Sequence, residues 1–152
     1  MAFFEDLEIW RSARTLTLSI YHMMDSVRDY GFRDQIQRAS VSVMNNIAEG
    51  SEAGTPSLNI RFLHIAKGSC AEVRSMLFLC IDLEYCSQEK GEELIVQVRG
   101  ITAGINNFIR YMEKRAGKTS ENLSTYQPIN LNNTEKRAGK TSENLSTYQP
   151  IN

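Results

Sequence analysis

The fold is decided by a stretch near the N-terminus, FEDLEIWRSARTLTLSIYHMMDSV, which covers residues 4–27. Its apolar side chains recur at alternating spacings of four and three residues, and they are Ile9, Ala13, Leu16, Ile20, Met23 and Val27. This spacing brings all of them onto one face of an α-helix and is typical of helices that pack side by side along their length. The stretch therefore predicts a long amphipathic helix that requires helical partners.

The same spacing returns further along the chain, at Leu94, Val98, Ile101, Ile105, Phe108 and Met112. Between the two segments, Thr55-Pro56 predicts a helix start, because threonine can cap the first amides and proline fits the first helical turn. Gly50 is expected to cap the C-terminus of the preceding helix. Four helices are predicted, near residues 4–28, 32–50, 56–86 and 88–115.

These elements predict an all-α fold, an antiparallel up-down-up-down four-helix bundle that occupies residues 1–115. No segment shows sustained alternation of apolar and polar residues, so a sheet is not expected. In the third helix, we assign the core-facing positions to Leu58, Phe62, Ile65, Ser69, Val73, Met76, Cys80 and Leu83.

The remaining residues, 116–152, are predicted to form a polar tail. The 18-residue segment EKRAGKTSENLSTYQPIN occurs at residues 113–130 and again, letter for letter, at residues 135–152. Both copies lack an apolar face that could stack, which excludes a solenoid, and their composition predicts disorder. We interpret the region as a duplicated tail, and a doubled peptide ligand that gains avidity is the alternative.

Charge and hydropathy exclude several functional classes. The first 112 residues carry 11 basic and 14 acidic side chains, a net charge of −3, unlike a strongly basic nucleic-acid binder. Acidic residues at Glu5, Asp6 and Glu8 are incompatible with a signal peptide. The longest purely apolar run is far shorter than the ~20 residues of a membrane span. We therefore expect a cytoplasmic protein with no membrane partner.

The sequence lacks motifs for catalysis or metal binding. His22 and His64 are the only histidines, and neither belongs to an H-x-x-x-H or E-x-x-H pattern. Cys70, Cys80 and Cys86 do not have the spacing of metal ligands and are interpreted as free, mostly buried thiols. The sequence therefore predicts no catalytic residue, no metal, no cofactor and no enzymatic activity.

A polar stripe on the second helix is expected to meet the third helix. Antiparallel pairing about Thr55 predicts three contacts: Arg38 with Glu72, Glu49 with Arg61, and Ser42 with Gly68. Such a seam could fix the register of the two helices or form a polar binding site, and both interpretations stay open. The candidate residues are Arg38, Ser42, Asn45, Asn46, Glu49, Arg61, Gly68, Ser69 and Glu72.

The second helix also carries a second apolar stripe, and the third helix has an unusually wide apolar face. A helix in a monomeric bundle needs only one apolar face, so these stripes predict self-association. A wider intramolecular core is the alternative. The candidate interface residues are Val41, Met44, Ala48, Leu63, Cys70 and Leu77.

Three segments carry a resemblance to a known family: FEDLEIWRSARTLTLSIY (4–21), QIQRASVSVMNNIAEGSEAGT (35–55) and RFLHIAKGSCAEVRSML (61–77). Over residues 3–112 the chain resembles the four helix bundle protein family, also called the 23S rRNA intervening-sequence-encoded protein family. The resemblance implies a bacterial, cytoplasmic bundle that assembles into a ring-like homopentamer, and most members have no assigned activity. One branch resembles the accessory variability protein of diversity-generating retroelements, which binds a reverse transcriptase and nucleic acid through a basic surface.

These features predict a non-enzymatic oligomeric adaptor that binds a protein or RNA. The alternative is a structural or orphan oligomer with no nucleic-acid role. The arrangement of the basic residues distinguishes the two, because an RNA binder gathers its cations onto one face or into one lumen. The residues concerned are Arg28, Arg33, Arg38, Arg61, Lys67, Arg74, Arg99 and Arg110.

Overall fold

The computed structural model describes residues 3–115 and contains four α-helices after a short 3-10 turn, Phe4–Asp6. The helices are α1 (Glu8–Met24), α2 (Tyr30–Glu52), α3 (Pro56–Asp82) and α4 (Gln88–Arg115). The predicted all-α fold is confirmed, and no strand occurs within the described range. The predicted tail, residues 116–152, lies outside that range.

Each of the last three helices begins at a side-chain oxygen that accepts a backbone amide. The pairs are Asp29 with Phe32 N at 3.0 Å, Thr55 with Leu58 N at 3.3 Å, and Ser87 with Lys90 N at 3.2 Å. These caps satisfy amides that have no partner within the helix. The start predicted at Thr55-Pro56 is thus confirmed.

Gly50 does not cap α2, because the helix continues past it to Glu52. The glycine instead allows α3 to pack closely. A Cβ atom at this position would lie 3.1 Å from the Cβ atom of Phe62 and 3.3 Å from the carbonyl oxygen of Asn59. These neighbours are a backbone atom and the first atom of a side chain, so neither can move aside easily.

The helices are arranged in a cycle, in which the backbone of each helix lies close to two others and the diagonal pairs are further apart. Ser42 meets Ser69 and Gln35 meets Glu72, so α2 and α3 run antiparallel. Gly91 of α4 lies against Ile81 of α3, and Gly104 of α4 lies against Ile9 of α1. This arrangement is the predicted four-helix bundle.

The core lies along the axis of the bundle and receives side chains from every helix. Its largest fully buried members include Leu16, Ile20, Met24, Ile36, Ile47, Leu63, Leu77, Leu94 and Ile105. Most of the N-terminal seam is buried as expected, although Ile9 and Met23 are only half-buried. Within residues 3–115, no helix combines the length and apolarity that crossing a membrane requires.

The buried face of α3 differs from the predicted one. Leu58, Ile65 and Leu83 were assigned to the core, yet each is 44–45% exposed. Leu63 and Leu77, assigned to a self-association surface, are fully buried. The reason is that α3 packs on both α2 and α4, so its buried face is turned towards α4.

The two helix connections at one end of the bundle are joined by a side-chain contact. The hydroxyl of Tyr85, between α3 and α4, donates a hydrogen bond to Asp29, between α1 and α2, at 3.0 Å. The Tyr85 ring also packs edge-on against Phe32, with 5.2 Å between ring centroids. Asp29 therefore has two roles, since it caps α2 and holds the α3–α4 connection.

Replacing Asp29 with alanine is expected to lower the melting temperature at neutral pH, because both bonds are lost. The amide of Phe32, followed by the Tyr85 hydroxyl, lowers the pKa of the Asp29 carboxyl. A carboxyl whose pKa is lowered by folding stabilises the protein above its ordinary pKa of 3.8 and loses that effect as the pH falls further. The difference from the wild type should therefore shrink in acid.

Thermal unfolding followed by circular dichroism at neutral pH and below pH 3.8 measures this difference. Asp25→Ala is the matched control, because Asp25 lies in the same connection and its side chain makes no hydrogen bond or ion pair with another described residue. An Asp29→Ala melting temperature equal to that of the control at neutral pH would contradict the prediction.

Candidate functional site

The outward face of α2 forms an open, polar depression with a volume of about 390 Å³. It is lined by Tyr21 of α1 and by Arg38, Val41, Ser42, Asn45, Asn46 and Glu49 of α2. All the α2 residues of the predicted seam are therefore brought together on one surface. The helical repeat explains this, because spacings of three, four and seven residues return to the same side of a helix.

A chain of hydrogen bonds runs from this depression to α3. The Asn46 amide donates to the Ser42 hydroxyl at 3.1 Å, and also to the Ser42 carbonyl oxygen at 2.8 Å. The Ser42 and Ser69 hydroxyls are 2.8 Å apart, and the Ser69 hydroxyl donates to the Ile65 carbonyl oxygen at 3.1 Å. Each hydroxyl has one proton, so Ser42 must be the donor to Ser69. The serines thus join α2 to α3 in one register.

The predicted ion pair between Arg38 and Glu72 is wrong. Arg38 pairs instead with Asp34, one turn away on α2, at 3.1 Å. Glu72 accepts a hydrogen bond from Gln35 at 3.5 Å. The physical reason is local: an exposed arginine reaches a carboxylate on its own helix without being ordered across the seam, and exposed pairs contribute only ~0–1 kcal/mol.

The predicted pair between Glu49 and Arg61 is also wrong. Both side chains are exposed near the α2–α3 connection, and neither lies within 4.0 Å of an oppositely charged group among the described residues. A single exposed pair gains too little free energy to hold two long side chains together. Glu49 and Arg61 therefore have no ion-pair partner in the described part of the chain.

Gly68 does not bring the two helices together as predicted. A Cβ atom there would have no neighbour within 4 Å, and the residue is exposed. Ser42 meets the next residue, Ser69, because one residue on a helix turns the side chain by about 100°. The close approach of α2 and α3 lies instead near the α2–α3 connection, at Gly50.

The predicted self-association surface is divided by the structure. Leu63, Cys70 and Leu77 are fully buried in the core of the chain, so their assignment to an interface is wrong. Burial raises the pKa of the Cys70 thiol to about 11, in keeping with that position. Val41, Met44 and Ala48 are half-buried, and Met44 packs against the core. Their role in an interface stays a prediction.

An exposed apolar row on α3 was not identified from the sequence. Its members share one side of the helix, each is 44–46% exposed, and they are Leu58, Ile65, Leu79 and Leu83. The signal was present, because the first three lie at multiples of seven residues. Leu58, Ile65 and Leu83 are predicted core positions and Leu79 is assigned to no surface, because periodicity alone does not tell which of two neighbouring apolar faces is buried. We call this surface the α3 apolar row.

The basic residues do not follow a single stripe. They are spread over α2, α3, α4 and the connection after α1. On α2, Arg33 and Arg38 are about 140° apart at the helical repeat. On α3, Arg61 and Lys67 are about 120° apart by the same rule. Arg33 lies over the ring of Tyr30, 5.6 Å from its centroid.

The described residues contain no group of three or more His, Cys, Asp or Glu side chains that could hold a metal ion. His22 and His64 are both exposed. The polar depression itself offers one guanidinium, one carboxylate, two amides and two hydroxyl groups. Such a surface can form hydrogen bonds with a partner.

The fold and this surface define a small four-helix bundle with a polar outer face on α2 and an apolar row on α3. The family model described as "23S rRNA-intervening sequence protein" matches residues 5–107, so the chain belongs to that family. This confirms the resemblance seen in the sequence.

A solved structure is similar to this bundle. It is described as a protein with unknown function from the S23 ribosomal protein family of Bacteroides thetaiotaomicron VPI-5482. The two share 23% sequence identity with a TM-score of 0.63, and the match covers 66% of this chain and 97% of the other. This similarity supports the fold alone. No curated protein matches the chain.

Proposed function

We propose that the protein is a non-enzymatic, self-associating helical bundle that acts as an adaptor for a protein partner. The observation that carries this proposal is the α3 apolar row. Its four aliphatic side chains share one side of α3, and each is 44–46% exposed. Exposed aliphatic side chains that share one side of a helix favour an interaction site, because covering them releases ordered water.

A second copy of the chain is the occupant we propose for the α3 apolar row. Leu58 and Ile65 are seven residues apart, and Leu79 follows after fourteen more. Multiples of seven are the spacing with which helices pack along a shared seam. Glu49 and Arg61 flank the α2–α3 connection without ion-pair partners among the described residues. Their opposite charges are complementary, so a neighbouring copy can supply the partner that each lacks. The family resemblance favours a ring of five copies in the cytoplasm.

The polar depression on α2 is the surface we propose for the protein partner. It lies on the outward face of the bundle, and its amide, hydroxyl and charged groups fit the mixed polar rim of a protein interface. A protein partner is favoured over RNA by charge. Residues 1–112 have 11 basic and 14 acidic side chains, and the cations do not follow one face. Phosphate binding requires cations gathered on one face.

Aspartate substitutions in the α3 apolar row test self-association. Ile65→Asp and Leu79→Asp are each expected to reduce the native mass measured by light scattering, because a charge in a desolvated contact is costly. Val96→Asp is the matched control, since Val96 is a 64% exposed aliphatic residue on α4. The wild type is expected at five times the chain mass. A monomeric wild type at micromolar concentration would overturn the proposal.

Retention of the wild-type oligomer on an RNA column at low and high salt tests the choice of partner. We expect no retention at either salt concentration. Salt-sensitive retention that is lost when basic residues such as Arg61 are neutralised would replace the protein adaptor with an RNA binder. Circular dichroism of every variant separates loss of assembly from loss of folding.

A further inference from the structure

The two cysteines at the α3–α4 connection lie next to each other. Cys80 is in the last two turns of α3 and is fully buried, whereas Cys86, between the two helices, is half-buried. The Cys80 thiol donates to the Cys86 sulfur, and the two sulfur atoms are 3.3 Å apart. Six residues separate them in the sequence, so only the fold brings them together.

Several contacts hold this connection in the geometry that pairs the sulfurs. Glu84 adopts a positive φ of 57°, which turns the chain back towards α3, and the Tyr85 amide donates to the Cys80 carbonyl oxygen at 2.9 Å. The Tyr85 side chain is held by Asp29. On the other side, Gly91 leaves no room for a side chain, because a Cβ atom there would meet Ile81 and would lie 3.3 Å from the Cys86 sulfur.

We propose that Cys80 and Cys86 form a reversible intramolecular disulfide when the protein meets a two-electron oxidant of the peroxide class. The sulfurs must approach by about 1.3 Å to reach the length of a disulfide bond. One side-chain rotation in a short connection can supply such a movement. The third cysteine, Cys70, lies further along α3, near Thr102 of α4, and is not part of the pair.

The reaction balances with hydrogen peroxide as the oxidant. The Cys86 thiolate attacks one peroxide oxygen and the O–O bond breaks, which gives a sulfenic acid and, after protonation of the leaving hydroxide, one water. The Cys80 sulfur then displaces the sulfenic hydroxyl, the S–S bond forms, and a second water leaves. Two thiols lose two electrons and two protons in total, and a dithiol such as dithiothreitol reverses the change.

The assignment of Cys86 as the first sulfur to react follows from access. Peroxide reaches a half-buried side chain more readily than a fully buried one. Burial raises the pKa of the Cys80 thiol to about 12, and the hydrogen bond with Cys86 contributes to this increase. Cys80 is therefore rarely a thiolate at neutral pH. Because its sulfur lies 3.3 Å from the Cys86 sulfur, the Cys80 thiol is well placed to resolve a sulfenic acid formed there.

The test is alkylation of the full chain after oxidation. The protein is treated with hydrogen peroxide, catalase removes the excess, and free thiols are alkylated with iodoacetamide under denaturing conditions. Trypsin leaves Cys80 and Cys86 in one peptide, residues 75–90, and Cys70 in another. We expect two of the three cysteines to escape alkylation. Peptide 75–90 should then lack two hydrogens, and dithiothreitol should restore full alkylation.

Two variants make the result specific. Cys86→Ser should abolish the loss of hydrogens, and its side chain is only half-buried, so the fold should tolerate it. Cys70→Ser is the control and should leave the oxidation of peptide 75–90 unchanged. Full alkylation of that peptide after peroxide treatment of the wild type would overturn the proposal. Disulfide-linked dimers through Cys86, with no intramolecular bond, would overturn it as well.

Discussion

Replacing Leu77 with alanine is expected to lower the free energy of unfolding by about 2–5 kcal/mol, the range measured for leucine-to-alanine changes in packed cores. Leu77 is 0% exposed and belongs to the single core cluster of the bundle. The loss combines the apolar area returned to water with the cavity left behind. Urea unfolding at a fixed, low protein concentration measures it.

Leu79→Ala is the matched control, because Leu79 is the same residue type two positions further along α3 and is 46% exposed. Its unfolding free energy should stay close to that of the wild type in dilute protein, where any self-association is weak. A cost of Leu77→Ala no larger than that of Leu79→Ala would contradict the burial of Leu77 in the core.

Introducing leucine at Gly50 is expected to lower the free energy of unfolding by about 1–3 kcal/mol, the usual cost of overpacking. A Cβ atom there already comes within 3.1 Å of the Phe62 Cβ atom and 3.3 Å of the Asn59 carbonyl oxygen. Because those atoms cannot rotate away, α3 must move off α2. Chemical denaturation measures the stability, and the Ser42–Ser69 contact should loosen together with it.

Alanine substitutions provide the control for helix propensity. Gly100 lies in the interior of α4, and a Cβ atom there has no neighbour within 4 Å. Gly100→Ala should therefore stabilise the protein by about 0.5–1 kcal/mol. Gly50→Ala should gain less than this or lose stability. An equal gain at both positions would mean that the α2–α3 contact has room to spare.

The helices could be predicted because their signals are local. Thr55 and Pro56 mark a start by the chemistry of two adjacent residues, and the seam that runs from Ala13 to Ile20 depends only on the helical repeat. Both are properties of one segment in isolation. The same reasoning grouped the polar residues of α2, since residues on one side of a helix share a surface whatever packs against it.

The face of α3 that is buried could not be predicted in the same way. Ile65 and Leu63 are both aliphatic, and only the positions of α2 and α4 decide that Leu63 is buried. The predictions of the two ion pairs were wrong for a related reason. Reflection about Thr55 gave the partner of Ser42 to within one residue, but a single residue rotates a side chain by about 100°. Arg38 pairs instead with Asp34 on its own helix.

The bond between Tyr85 and Asp29 has a mechanical consequence for the bundle. The chain joins the α1–α2 hairpin to the α3–α4 hairpin at the short α2–α3 connection, which is the natural hinge between them. Tyr85 lies beyond the far end of α3, a helix of 27 residues, and therefore about 40 Å from that hinge. A rotation that opens the two hairpins about this hinge displaces the far end of the bundle, where Tyr85 lies, more than any part nearer the hinge. One hydrogen bond so placed resists the opening of the hairpins far more effectively than the same bond would near the hinge.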